Sequence, residues 1–401
     1  MKQLAHFAAQ LQTLQSQGLQ RRLRVMETPS LPQVQADGRS ILAFASNDYL
    51  GLAAHPEVIA ALQEGASLYG AGSGASHLIS GHSVAHARLE QALAEMMAAH
   101  LEQVRALYFG SGYLANLAIL TALVAARPAL ESTIFSADLN HASIIDGARL
   151  SRAKVEIYPH QNLAHLENLL ANSSAAQKIV VTDSVFSMDG TLAPVPQLLA
   201  LCEQHDAFLV LDDAHGFGCL GADGRGILQH FSLRSAHLIY MGTLGKAAGV
   251  GGAFVAAHEN IIEWLLQRAR PYIYTTASPP AMAHALLSSL RIIASAEGRQ
   301  RRAHLASLIQ TWQHSVQLHA WQRMPSDCAI QPILIGSNQA TVAAAQALYA
   351  QGLWVPAIRP PTVPVGTARL RVSLSAAHSQ AQVTHLVQAL HALETAQLEA
   401  A

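Results

Sequence analysis

The chain has 401 residues, 51% of them hydrophobic, and 25 Lys and Arg offset 26 Asp and Glu to leave a net charge of −1. That length allows a large core and exceeds one simple domain, and the balanced charge carries no nucleic-acid or membrane-surface signature. Three cysteines with no CxxC pair give no disulfide framework, and no run approaches the ~18 apolar residues of a spanning helix.

Residues 1–20 read as an amphipathic helix without the apolar core of a signal peptide, so a cytoplasmic location is expected. The basic step Arg21, Arg22 and Arg24 follows; an anion-binding arm and a solvated helix end both suit it. Ile41–Ala45 predicts a strand, and Pro56 opens a helix reaching about Tyr69. Gly70–Gly81 is rich in glycine and serine and predicts a loop, and Val84–Ala99 predicts a helix with Leu89, Leu93, Met96 and Met97 on one face. Histidine is abundant, with 21 copies against only 13% charged residues, so most are expected to be solvated. His82 and His86 sit at i, i+4, but neither HExxH nor a cysteine partner accompanies them, and no metal is expected.

From Arg105 to about Ala256, strands and helices alternate. The predicted strands are Ala106–Phe109, Thr133–Ser136, Val155–Tyr158, Ile179–Thr182, Phe208–Leu211, Leu238–Met241 and Ala253–Ala256. Helical stretches such as Tyr113–Ala125 and Pro194–His205 lie between most of them. This α/β pattern implies right-handed crossovers and a mainly parallel central sheet with helices on both faces. From about Pro279, two long helical stretches lead into short strands near Ile330–Leu334 and Arg369–Ser373 and a closing helix. The expected organisation is an N-terminal helix and arm over 1–50, a large α/β domain over 51–280 and a smaller α+β domain over 281–401.

Three features of the α/β region carry chemistry. Lys246 lies in a bed of Gly242, Thr243, Gly245, Ala247, Ala248, Gly249, Gly251 and Gly252. Such small neighbours leave room for a flat group, and desolvation would free the amine for a Schiff base. Asp212, Asp213 and His215 fall at or just past the end of an apolar strand, where open α/β sheets bind ligands. An aspartate and a lysine at strand ends suit pyridoxal phosphate: the carboxylate keeps the pyridine nitrogen protonated and the lysine holds the aldehyde. Gly110-Ser-Gly112-Tyr-Leu-Ala115 follows a strand and opens a helix, which presents N–H groups and a positive end to an anion. A nicotinamide cofactor would use the same turn with Asp138, so a dinucleotide-binding reductase or regulatory module stays open at this point.

The motifs SNDYLGL (46–52), GSGASHLISGHS (72–83), GSGYLAN (110–116), NHAS (140–143), VFSMDG (185–190), DDAHGFG (212–218), TLGK (243–246) and AIRPPTVPVGTARLR (357–371) together resemble the α-oxoamine synthases. These are pyridoxal-phosphate acyltransferases of the aminotransferase-like fold type I. The resemblance implies that Lys246 is the Schiff-base lysine and then the base, with Asp212 and His141 as the other catalytic residues. Gly112, Tyr113, His141, Ser187, Asp212, His215, Thr243 and Lys246 would hold the cofactor. Arg371 would bind the amino-acid carboxylate, with Arg21, Asn47, His141 and Thr362 on the substrate side. The AIRPPTVP stretch is most similar to members that join L-alanine to a pimeloyl thioester, carried on coenzyme A or an acyl carrier protein; a sister synthase using glycine is the alternative. His77 and His82 depart from the residues relatives often carry there. A cytoplasmic homodimer is implied, its active sites shared through the Tyr272–Thr276 stretch, which reads as polar and β-rich. No nucleic acid or membrane is expected as a partner.

Overall fold

In the computed structural model, which describes residues 2–399, the chain divides into two compact units. The larger comprises Leu52–Ser187 and Leu192–Arg301, and the smaller comprises the chain up to Gly51, Met188–Thr191 and the chain from Arg302 onward. The division near 280 expected from sequence falls instead after Arg301. The cause is close helix packing: a Cβ on Gly65 would sit 2.9 Å from Ala281 Cα, so Pro56–Tyr69 and Pro280–Ala294 pack backbone to backbone inside the larger unit.

The larger unit is built on seven strands: β1 (Val104–Phe109), β2 (Ser132–Ala137), β3 (Lys154–Tyr158), β4 (Gln177–Asp183), β5 (Ala207–Asp212), β6 (Leu238–Thr243) and β7 (Ala253–His258). All seven strands predicted from apolar runs are present. Their order is β1-β7-β6-β5-β4-β2-β3, parallel except for β7, which runs antiparallel to both neighbours. The chain steps outward from β2 to β3 and then returns past β2 to β4, which makes β2/β4 a switch point where ligands are expected.

Four helices matter for the site. The first, α1 (Pro56–Tyr69), starts with Pro56 in its first turn and His55 Nδ1 accepting from Glu57 N–H. Ser83 caps α2 (Val84–Met97) in a reciprocal capping box with His86. Ser111 caps α3 (Gly112–Val124), whose apolar residues lie on every face and are buried against the sheet with Leu107, Ile134, Ile179 and Val255. His141 caps α4 (Ala142–Ser151).

The smaller unit holds a hairpin, Gln33–Ala36 and Arg39–Ala43, closed by Asp37-Gly38, both at positive φ. Leu353–Trp354 adds to Arg39–Ala43 in parallel. A second, antiparallel sheet orders Gln322–Arg323, Ile330–Gly336, Ala368–Ser373 and Ala357–Ile358. Among the described residues no helix is long and apolar enough to cross a membrane.

Candidate active site

The carboxyl edge of the larger sheet gathers most of the singled-out residues. Asp212 ends β5 and is 4% exposed. Its Oδ1 accepts from Ala214 N–H at 3.0 Å and its Oδ2 from Asn116 Nδ2 at 2.7 Å. Asn116 lies on the buried face of α3 and gives its second amide hydrogen to Ser143 Oγ at 2.9 Å. Ser143 Oγ is 2.7 Å from His141 Nδ1, which also accepts from Ser143 N–H at 3.2 Å. An Nδ1 that accepts a backbone N–H assigns the imidazole proton to Nε2. One hydrogen-bonded chain therefore runs from Asp212 through Asn116 and Ser143 to His141. Burial lowers the His141 pKa; the Asp212 charge opposes that shift and the Lys246 charge adds to it.

The two adjacent aspartates separate cleanly. Asp213 is fully enclosed: its carboxylate accepts from Ser184 Oγ, from Tyr240 Oη at 2.7 Å and from Ile227 N–H at 2.7 Å. Burial pushes its pKa up to about 7. A Cβ on Gly226 would lie 2.0 Å from Asp213 Oδ2, so the Gly216–Gly226 turn is wrapped around that side chain. Asp213 is the anchor of a loop, and Asp212 is the carboxylate at the sheet edge. A further acid, Asp183, ends β4 in register with Asp212 and accepts from His141 N–H at 2.7 Å. Burial first, and then the Asp212 charge, holds the Asp183 carboxyl well above the usual carboxylate range.

Lys246 sits in the turn that joins β6 to the antiparallel β7, closed by Leu244 N–H to Gly252 O at 2.8 Å and Gly249 N–H to Lys246 O at 2.9 Å. Its Nζ is 3.0 Å from His215 Nε2. The small-residue bed serves two purposes. A Cβ on Gly249 would meet Ala53 N at 2.4 Å and on Gly252 the Tyr108 ring at 2.5 Å, so these two glycines are required by packing. At Gly245, by contrast, a Cβ would meet only Gly251 Cα at 3.6 Å, and that side of the lysine is open.

The first turn of α3 provides an anion cradle. Gly112 and Tyr113 carry N–H groups that precede the first intrahelical bond, Ala115 N–H to Ser111 O at 3.1 Å. A Cβ on Gly112 would lie 2.7 Å from Thr243 Cγ2, so glycine is what lets β6 and α3 close together there. Thr243 Oγ1 donates to Ala214 O at 3.1 Å. The Tyr113 hydroxyl is bonded to Asp146. Ser187 is half-buried in the segment after β4. A lysine amine, a buried carboxylate and a helix-end anion cradle on one sheet edge are the donor set pyridoxal phosphate requires.

Of the residues expected on the substrate side, Arg21, Asn47, Thr362 and Arg371 lie in the smaller unit and His141 in the larger. Arg371 is buried in the interior of Ala368–Ser373. Its Nη1 donates to Ser373 Oγ at 2.9 Å and Asn47 Oδ1 at 3.2 Å, and Nη2 donates to Tyr49 Oη at 3.4 Å. Arg21 is exposed and lines a groove of about 300 Å³ with Leu11, Leu14, Leu19 and the Pro360-Pro361 pair. Thr362 is exposed and its N–H donates to Arg359 O at 3.1 Å. The Tyr272–Thr276 stretch is not β-rich: Arg270–Ile273 is helical, Tyr272 is buried, and only Thr276 pairs, through an isolated bridge to Ser76. Pro271 in the first helical turn and Ala269 as cap account for that difference.

Sequence reasoning missed Asn116 and Asp183. A signal for Asn116 was present, since it is the one amide inside the apolar run YLANLAIL.

The Aminotransferase class I and II family model matches residues 39–390. The 8-amino-7-oxononanoate synthase of Janthinobacterium sp. (strain Marseille) is 65% identical over 393 residues, covering 98% of this chain and 99% of the relative. A solved serine palmitoyltransferase variant from S. paucimobilis, with a bound PLP–myriocin aldimine, superposes with a TM-score of 0.90 at 27% identity over 98% of each chain. The solved 8-amino-7-oxononanoate synthase of Francisella tularensis gives a TM-score of 0.74 at 29% identity, over 89% of this chain and 99% of that one.

Proposed function

The chain belongs to the class I and II aminotransferase family, and from that premise we propose that it joins L-alanine to a pimeloyl thioester, releasing CO2 and the thiol, to form 8-amino-7-oxononanoate for biotin synthesis. It is a pyridoxal-phosphate-dependent acyltransferase. The observation that carries the reading is the meeting of Lys246, His215, His141 and Asp212 at one sheet edge, with the Lys246 amine 3.0 Å from His215.

When bound through Lys246, the cofactor supplies an electron sink for charge at the amino-acid α-carbon. With the cofactor in place, Asp212, oriented by Asn116 and Ala214, would keep its pyridine nitrogen protonated, and Lys246 Nζ would serve as the general base for the alanine α-proton. His141, with its proton on Nε2, would lie near cofactor and substrate. Ser187 and His215 would help hold the cofactor, and Gly112, Tyr113 and Thr243 would hold its phosphate or ring. Arg371, its guanidinium fixed by Asn47, Tyr49 and Ser373, binds the alanine carboxylate. Arg21 and Thr362 serve the acyl substrate.

The working unit is a cytoplasmic homodimer in which the segment around Thr275 and Thr276 completes the neighbour's site. Light scattering reads the assembly. Mixing Lys246→Ala subunits with Thr275→Ala/Thr276→Ala subunits reads the sharing: recovered activity in mixed dimers supports it, and none in verified mixed dimers refutes it. The activity itself is tested by thiol release and product mass with alanine, glycine and serine against a panel of acyl thioesters on coenzyme A and on carrier protein. Faster turnover with glycine or serine than with alanine would overturn the substrate assignment.

A further inference from the structure

Three histidines converge at the start of α2. Within the glycine-rich loop, His77–Gly81 forms one π-type turn, closed by Gly81 N–H to Ser76 O at 3.0 Å. The turn folds His77 back until its Nδ1 is 3.0 Å from His82 Nδ1. His86 follows in the first turn of α2. The ring centroids are 5.3 Å apart for His77–His82, 5.0 Å for His77–His86 and 5.6 Å for His82–His86. One ring nitrogen from each residue lies within 4.8 Å of the other two. Glu90, one helical turn beyond His86, brings Oε2 to 3.7 Å from His82 Nε2.

We propose that His77, His82 and His86, with Glu90 as the adjoining carboxylate, form a binding site for one divalent transition-metal ion of the zinc class. Two imidazole nitrogens in direct contact place both lone pairs on one point, and a single proton now bridges them. A cation can take that position and draw in the third nitrogen. Tetrahedral zinc at about 2.0–2.1 Å from each nitrogen needs ligand nitrogens about 3.4 Å apart. The His77–His82 pair, at 3.0 Å, is within a few tenths of an ångström of that value, and His82, the most exposed of the three, has room to turn. Two of the rings are already set by outer contacts. His77 lies flat on Tyr272, with centroids 4.6 Å apart and planes 10° from parallel. His86 Nε2 is 2.9 Å from Ser278 O, the backbone-carbonyl contact that orients a metal-binding imidazole through its other nitrogen. His86 Nδ1 then exchanges its cap contact with Ser83 N–H, 3.0 Å, for the metal.

Neutral imidazole is the ligand form of histidine. Three imidazoles suit Zn2+, Co2+, Ni2+ or Cu2+ and do not suit Mg2+ or Ca2+, which take oxygen ligands. The sequence hides this site because a loop turn, rather than helical spacing, delivers the third ligand.

The test is equilibrium dialysis of the cofactor-loaded protein against ZnCl2 at pH 7.5, with bound zinc counted by elemental analysis, and a parallel melting-temperature series. One equivalent of tight zinc and a raised melting temperature are expected for the wild type, with affinity lowered at least tenfold in His77→Ala and in His82→Ala. His165→Ala, on an exposed helix elsewhere, controls for adventitious surface histidines and should match the wild type. Circular dichroism and the cofactor absorbance establish that each variant is folded. Absence of a stoichiometric tight site, or zinc binding unchanged in His77→Ala/His82→Ala, would overturn the proposal.

Discussion

Asn116→Ala isolates what orienting the sheet-edge carboxylate is worth. The substitution deletes a charge-assisted bond to Asp212 at 2.7 Å and a neutral bond to Ser143 at 2.9 Å. Those are worth about 1.5–3 and about 0.5–1.5 kcal/mol respectively. Asn116 Oδ1, however, is buried with no partner among the described residues. Removing an unsatisfied buried carbonyl returns about 1–3 kcal/mol. Global stability should therefore fall by only about 1 kcal/mol, while Asp212 keeps the Ala214 N–H donor and loses its fixed aim. Deuterium exchange at the alanine Cα reads the step proposed to depend on Asp212, and it should slow about 10- to 100-fold, or about 1.4–2.7 kcal/mol of barrier. Ser143→Ala, which cuts only the link toward His141, should slow it less. Asn116→Asp sets an acid against Asp212 and should make exchange recover as pH falls. Wild-type exchange in a folded Asn116→Ala protein would refute the orienting role.

Gly112→Ala should weaken cofactor retention about tenfold, because its Cβ would lie 2.7 Å from Thr243 Cγ2. Adding Thr243→Ser removes that methyl and keeps a hydroxyl for Ala214 O, so the double variant should regain most of the loss in an absorbance titration; no regain would show that the clash is not the cause. Lys246→Ala should abolish product formation and borohydride trapping of the cofactor with the circular dichroism unchanged, and appreciable product from it would place the base elsewhere. Glu394, buried in the closing helix Gln380–Glu399, accepts from the N–H groups of His319, Ala320 and Trp321 at 2.7–3.0 Å. Burial pushes its pKa up, but those donors outweigh it and the net shift is downward. A depressed carboxyl stabilises the fold above the ordinary carboxylate pKa and stops doing so as pH falls through its folded value. Glu394→Gln should therefore cost about 1–3 kcal/mol at pH 7 in urea unfolding, with the difference from wild type narrowing below about pH 4; an equal difference at both pH values would refute the assignment.

The sheet was legible because its central strands are buried on both faces and read as unbroken apolar runs, as in Val180–Val181 and Ile239–Met241. The hairpin Gln33–Ala43 was only half legible. Its first strand, QVQA, alternates glutamine with small apolar residues, and Asp37-Gly38 was the turn signal that could have revealed it. Lys246 and Asp212 were legible as residue types at strand ends. Their partners were not, because Asn116 reaches Asp212 from 96 residues away and no local spacing encodes that meeting. The Tyr272–Thr276 stretch misled because aromatic and β-branched residues favour strands only where a neighbouring strand exists to pair with them.

The smaller unit is assembled from both ends of the chain: Leu42 and Ala43 pair with Leu353 and Trp354, and Ser373 N–H donates to Phe44 O at 2.9 Å. A ribosome delivers those partners some three hundred residues apart, at about 5–20 residues per second. The hairpin strand Arg39–Ala43 must therefore wait for tens of seconds with one edge open, while the segments that build the seven-stranded sheet emerge in between and are free to fold. During synthesis that edge is the stretch most exposed to pairing with another nascent chain. Its guard is short length and the polar Arg39 and Ser40 at its entrance, so a substitution that lengthened or greased that strand would show its cost in soluble yield before it showed any in catalysis.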